Sequence, residues 1–185
     1  IDHQTGSETF DLAPISLWIE DFSAVKTLFE AWRKSGVTDI RAYLLEDASR
    51  IRQSSRLIRV LKVNRKTLTL FQADDFETLT ANLDSIFRDD MLQSHVQELA
   101  ALWNGETEFS SSTVNYTLTG RRLDIQLRGT VLPGYEHSWE RVLLSIEDVT
   151  EREDARRQQI ESKQYAEGLF EHSPVSLWVE DFSRI

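Results

Sequence analysis

A fourteen-residue phrase occurs twice in this chain. Residues 10–23 read FDLAPISLWIEDFS and residues 170–183 read FEHSPVSLWVEDFS. Nine of the fourteen positions are identical, among them Pro14/Pro174, Trp18/Trp178, Glu20/Glu180, Asp21/Asp181 and Phe22/Phe182. A shared helical pattern does not reproduce Trp, Pro and an acidic pair in register. Repetition at a fixed offset means that one structural unit must be completed between the two starts. The expected organisation follows. Residues 1–9 end a preceding linker, 10–150 form one complete domain, 151–169 form a helical connector, and 170–185 open a second, truncated unit. The chain thus reads as a piece of a larger multidomain protein.

Within the complete unit the pattern starts extended, becomes helical, and ends extended. Residues 15–20 (ISLWIE) are β-branched and aromatic and follow Pro14, which predicts a strand. Ser23 is expected to cap a helix whose apolar face is Val25, Leu28, Phe29 and Trp32, with Gly36 ending it. Thr38 or Asp39 opens a second helix with Ile40, Tyr43 and Leu44 inward, and a third, more basic helix covers 47–56. Residues 57–63 read as a strand. Asn64 leads a short helix to Phe71, and Asp74 with Glu77 has capping-box-like spacing. Asp89 or Asp90 starts a longer helix with the stripe Leu92, Val96, Leu99 and Trp103, stopped by Gly105.

After Gly105 the period changes to two. Val114, Tyr116 and Leu118 alternate with polar residues, Thr119-Gly120 turns, Leu123, Ile125 and Leu127 alternate again, and Pro133-Gly134 breaks the chain. Trp139 to Val149 is expected as the last strand, with Val142, Leu144 and Ile146 on one face. Three successive strands joined by turns form an antiparallel meander. The whole pattern predicts an α+β fold: a five-stranded antiparallel sheet with helices on one face, and a helical segment, 23–56, between strands 1 and 2.

Composition narrows the chemistry. The 185 residues are 40% hydrophobic and 10% aromatic, enough for one packed core. A net charge of −10 disfavours contact with nucleic acid or anionic lipid. No apolar run reaches bilayer-spanning length, so no direct membrane contact is expected of this segment, and a cytoplasmic setting fits, with any membrane anchor elsewhere in the parent protein. The absence of Cys removes disulfides, thiolate nucleophiles and Cys-ligated zinc.

Two stretches then give the chain a family likeness. VLKVNRKTLTLFQADDFETL (60–79) and VLLSIEDVTERED (142–154) resemble the PAS family, the second through its Asp148-Val149-Thr150-Glu151-Arg152 signature ahead of a charged helix. The resemblance covers residues 10–152 and is closest to a subtype with a helical insertion after the first strand. It implies a bacterial sensory or transmission module that dimerises and passes a conformational change into its C-terminal helix. The implied partners are a second copy of the chain and a downstream output domain in the parent, such as a histidine kinase or a cyclic-di-nucleotide enzyme. Asp148, Thr150, Glu151 and Arg152 are the expected signal-coupling residues, and ordinary capping by Asp148 or Thr150 is compatible with that role.

The likeness also implies a small-molecule pocket between helices and sheet. Its candidate lining is Phe71, Phe87, His95 and Leu99 from the helices and Tyr116, Leu144, Ser145 and Ile146 from the strands; Phe76 and Leu127 are further candidates. For each of the apolar residues, simple filling of the core is the more favoured reading. Tyr116 and Ser145 are the polar groups that would orient a ligand. His95 lies about 60° from the apolar stripe of its helix, at roughly 100° per residue. Haem-binding relatives use a His from that helix as axial ligand, but a lone His beside an apolar face is more commonly a core residue, so haem is the less favoured reading. Without Cys, the cysteinyl flavin adduct of light-sensing relatives is excluded. The pairs Glu20-Asp21, Asp74-Asp75 and Asp89-Asp90 read as caps and solvated turns, and no catalytic constellation or metal cluster is visible.

Overall fold

The computed structural model describes residues 8–171. Of the expected second unit at 170–185 and the preceding linker at 1–9, residues 172–185 and 1–7 lie outside the described residues. The chain divides into two units, Ile1–Val149 and Thr150–Ile185.

The first unit is built on five antiparallel strands in the order β2-β1-β5-β4-β3. They are β1 (Ser16–Asp21), β2 (Arg59–Val63), β3 (Glu108–Tyr116), β4 (Arg122–Val131) and β5 (Val142–Asp148). The strand carrying the repeated phrase therefore lies inside the sheet, paired with β2 on one side and β5 on the other. Three helices separate β1 from β2: α1 (Ser23–Lys34), α2 (Ile40–Glu46) and α3 (Ala48–Arg56). Between β2 and β3 run α4 (Arg65–Phe71), α5 (Phe76–Ala81), the short α6 (Leu83–Ile86), a 3-10 turn at Asp89–Met91, and α7 (Leu92–Trp103).

Local chemistry explains where these elements start and stop. Asp39, Asp47, Asn64 and Asp75 each accept a backbone N–H in the first turn of the helix that follows. Asp75, not Asp74, caps α5, because its side chain reaches the Thr78 N–H at 2.7 Å. Ser23 does not cap α1. Its own N–H donates to Asp21 Oδ1 at 2.8 Å, so the turn is closed by the acidic residue before it. β2 starts two residues later than expected, because the Leu57 and Ile58 N–H groups close the end of α3 on Ser54 and Ser55. The last strand begins at Val142; Trp139 has a left-handed backbone (φ 57) in the loop before it, and its carbonyl accepts the Phe22 N–H at 2.8 Å.

The core lies between the sheet and the helices. Trp18 is fully buried and packs edge-on to Phe71, with ring centroids 5.6 Å apart. Val25, Phe29 and Trp32 form the inward face of α1, as the 3.6-residue period predicts. Phe29 stacks on Trp32 and meets Trp103 and Trp139 edge-on. Leu123, Ile125, Leu127 and Val131 of β4 face the core, and Val142, Leu144 and Ile146 do so from β5. On β3 the buried residues are Phe109, Ser111 and Asn115, so the apolar alternation at Val114 and Tyr116 belongs to the other phase. β3 turns a largely polar face inward, and Ser111 on that face meets Glu98 of α7.

The second unit contains α8 (Thr150–Glu171), 22 residues with acidic Glu151 and Glu153 in its first turn. Arg156–Glu153 and Arg157–Asp154 pairs lie along it, and Ile160, Tyr165 and Leu169 are exposed. Among the described residues no helix is long and apolar enough to cross a membrane.

Candidate ligand cavity

A cavity of about 670 Å³ lies between the inner face of the sheet and the helices α3 and α5 to α7. Phe87, Leu92, Phe109, Leu127, Leu144 and Ile146 supply its apolar wall. Trp18 backs this wall: its ring lies 5.8 Å from that of Phe87. Its indole N–H donates to Ser16 Oγ at 3.1 Å, so the polar atom of this buried Trp is satisfied.

One wall residue depends on a missing side chain. A Cβ on Gly129 would lie 2.1 Å from Cζ of Phe109 and 2.8 Å from Cδ2 of Leu144. Glycine lets the Phe109 ring lie flat across β4. Gly129→Ala is therefore expected to push Phe109 toward the cavity and to destabilise the domain by about 1–3 kcal/mol, read by urea denaturation.

Among the polar side chains that line it, three are buried: Glu20, His95 and Glu98. They are 5%, 3% and 6% exposed. Glu20 comes from the repeated phrase. In β1 it is in phase with Ser16 and Trp18, so the two-residue period turns it inward. Asp21 lies beside the edge of the site and is paired with Arg59 at 2.6 Å. Burial pushes the Asp21 carboxyl up, but the bonds from Arg59 and Ser23 outweigh this and hold it below the usual carboxylate range. Asp21 closes the turn before α1, as an acidic cap does, whereas Glu20 is buried, contrary to the expectation of a solvated turn.

His95 and Glu98 are one turn apart on α7. His95 Nδ1 lies 2.8 Å from Glu98 Oε2, and the Ser111 hydroxyl donates to Glu98 Oε1. His95 Nε2 is buried and has no hydrogen-bond partner among the described residues. The order is Ser–Glu–His. An activated serine needs the imidazole between hydroxyl and acid, so this linkage does not make Ser111 a nucleophile. No hydrogen bond or ion pair holds the Glu20 carboxyl among the described residues. Burial and the neighbouring charge of Glu98 push it up to about 8.

At the mouth, Arg52 of α3 binds Asp89 through two hydrogen bonds of 2.9 and 3.2 Å. Arg88 lies over the Tyr116 ring, 4.0 Å from its centroid, and the Tyr116 hydroxyl donates to Asp90.

Of the residues expected from sequence to line a pocket, the structure brings Phe87, His95, Leu144 and Ile146 to the cavity, together with Leu127. Phe71 and Leu99 are fully buried core residues outside it. Tyr116 is at the end of the edge strand β3 against the 3-10 turn. Ser145 alternates with the inward Leu144 and Ile146 and so takes the opposite face of β5. Glu20 and Glu98 were not expected. The signal for Glu20 was its phase with Trp18; for Glu98 it was the i, i+3 spacing from His95. Among the described residues no group of three or more His, Cys, Asp or Glu side chains is arranged to hold a metal ion.

The signature residues lie where the first unit ends. Asp148 is 3.5 Å from Arg121, and the Val149 N–H donates to the Asp124 carbonyl at 2.8 Å. Thr150, Glu151 and Arg152 form the first turn of α8.

No family model matches the sequence, and no curated protein matches it. Solved structures do match in fold. A light-oxygen-voltage domain studied with a flavin analogue superposes at a TM-score of 0.52 and 16% identity, over 88% of this chain and 97% of the other. The PAS domain of a protein from Colwellia psychrerythraea gives 0.52 at 11% identity, over 80% and 97%. The light-oxygen-voltage protein of Rhodobacter sphaeroides gives 0.52 at 16%, over 81% and 69%. The chain has the PAS fold.

Proposed function

We propose that this PAS-fold chain is a non-catalytic sensor and relay domain of a signalling protein. A small molecule enters the cavity between sheet and helices, and its occupancy is passed to a domain that follows in the parent chain. The observation that carries this reading is the cavity itself: about 670 Å³, apolar-walled, with three buried polar groups of which one nitrogen has no partner. That is the composition of a ligand site, in which a few placed polar atoms orient an otherwise apolar guest.

The route outward is short. Leu144 and Ile146 line the cavity on β5, and Asp148 and Val149 end the same strand immediately before α8. A ligand that binds one arrangement of this strand better than another shifts the balance between them. In this reading Asp148, Thr150, Glu151 and Arg152 carry the change into the helix, and two copies of the domain act together.

A thermal-shift screen of small metabolites on the intact chain tests the reading. Stabilising compounds are expected, since a ligand at a hundredfold excess over its Kd adds about 2.7 kcal/mol. The shift should vanish in Leu92→Trp, which fills the cavity from a half-buried position on α7. Compounds that stabilise both proteins equally, or none that stabilises either, would sink it.

A further inference from the structure

We infer that the ligand of this cavity is a small organic cation, an ammonium group on an apolar body, seated on Glu20, Glu98 and His95; the inference rests on the cavity being a ligand site. In the neutral tautomer that donates Nδ1–H to Glu98, the unpartnered Nε2 of His95 is an acceptor. Neither Glu20 oxygen has a hydrogen bond among the described residues, and once the carboxyl ionises both are acceptors. The two Glu98 oxygens each receive one donor, from Ser111 and from the His95 position, and retain lone pairs. The floor is therefore rich in acceptors and short of donors.

The cations of the cavity do not make up the difference. Arg52 is committed to Asp89, and Arg88 lies over Tyr116 and donates to the Ser85 carbonyl. Arg56 and Asp84 are exposed at the mouth. The charge that acts on Glu20 is that of Glu98, and it is of the same sign. A ligand carboxylate or phosphate would meet two buried carboxyls. An alcohol brings one donor and no charge. An ammonium brings three N–H donors and the missing positive charge, while Phe87, Phe109 and Leu144 accept an aliphatic or aromatic body.

Charge linkage gives this a signature. Below pH 8 Glu20 holds a proton, and a cation must displace it. Binding of an amine that stays protonated over this range releases a proton, its affinity rises by up to about tenfold per pH unit, and the rise levels off above the Glu20 titration. A neutral ligand shows no such release.

Three probes with one skeleton separate the classes: phenethylamine, 2-phenylethanol and 3-phenylpropionate. Each is titrated into the intact chain by calorimetry at pH 7 in two buffers of different ionisation heat. The amine is expected to bind at least about tenfold more tightly than the other two, with proton release, and Glu20→Gln should lower its affinity by a similar factor while leaving the alcohol unchanged. Equal or tighter binding of the alcohol or the carboxylate overturns the inference. So does amine binding that releases no proton and ignores Glu20→Gln, or no binding by any of the three. The Leu92→Trp thermal-shift comparison tests the cavity without reference to ligand charge, so the two readings fail separately.

Discussion

Replacing Glu20 by Gln should abolish a loss of stability that the native domain suffers as pH rises from 5 to 9. The Glu20 carboxyl titrates at about 8 in the folded chain, because burial and then the charge of Glu98 oppose its ionisation, against an ordinary value of 4.5 when unfolded. Between those two values the folded state binds more protons than the unfolded state. The contribution of Glu20 to stability is therefore greatest below pH 4.5, falls by about 1.4 kcal/mol per unit as pH rises, and levels off above 8. The full span is on the order of 5 kcal/mol. Gln has the size of the protonated acid and cannot ionise. The variant and the native chain should be similar in stability near pH 5, and the variant should be the more stable one at pH 9. Urea denaturation at several pH values gives the difference curve, in which the other titrating groups cancel. Parallel curves would mean that Glu20 is solvated and that the cavity floor is not as described.

The second large effect is expected at Asn64, which ties the opening strand to the helix after β2. Its Oδ1 accepts the Leu17 N–H and the Thr67 N–H, each at 3.0 Å, and the Thr67 hydroxyl at 2.9 Å. Its Nδ2 donates to the carbonyls of Ile15 at 2.9 Å and Phe10 at 3.1 Å. The residue is fully buried, so water cannot replace these bonds. Thr67 extends the network to Ser16 at 2.8 Å, and Ser16 accepts from Trp18. Asn64→Ala leaves several buried groups unpaired and should cost about 3 kcal/mol or more. Asp75→Ala removes an exposed cap of the same geometry and should cost only about 1 kcal/mol. Equal losses in the two variants would contradict the view that Asn64 acts as a buried latch rather than as a simple helix cap.

The sheet was legible because its residues follow simple periods. Trp18 in the repeated phrase, Leu123 to Leu127 on β4 and Val142 to Ile146 on β5 alternate as a half-buried strand requires. The face of α1 was legible from Val25, Phe29 and Trp32 in the same way. The polar floor of the cavity was not. Adjacent Glu20 and Asp21 look like a charged turn, and only the pairing of β1 with both β2 and β5 shows that the first carboxyl must enter the interior. Ser111 was hidden because β3 buries small polar residues while Val114 and Tyr116 carry the visible apolar alternation. Ser145 could have been placed correctly: if Leu144 and Ile146 face the core, the residue between them cannot. The aromatic character of Trp139 suits a strand, whereas its left-handed backbone places it in a loop.

The repeated phrase thus does more than open a strand. Trp18 supports the cavity wall, Glu20 lies on its floor, Asp21 anchors Arg59, and Phe22 bonds the loop at Trp139. The central claim is that this cavity takes up a small molecule. Protein-observed NMR, with labelled leucine methyls and glutamate carboxyls, tests it most directly during titration with any compound that stabilises the chain. The account predicts saturable shifts concentrated at Leu92, Leu127, Leu144 and the Glu20 carboxyl. Saturable shifts confined to residues remote from these four, such as Leu12, Leu45 and Leu61 on the surface, would contradict it.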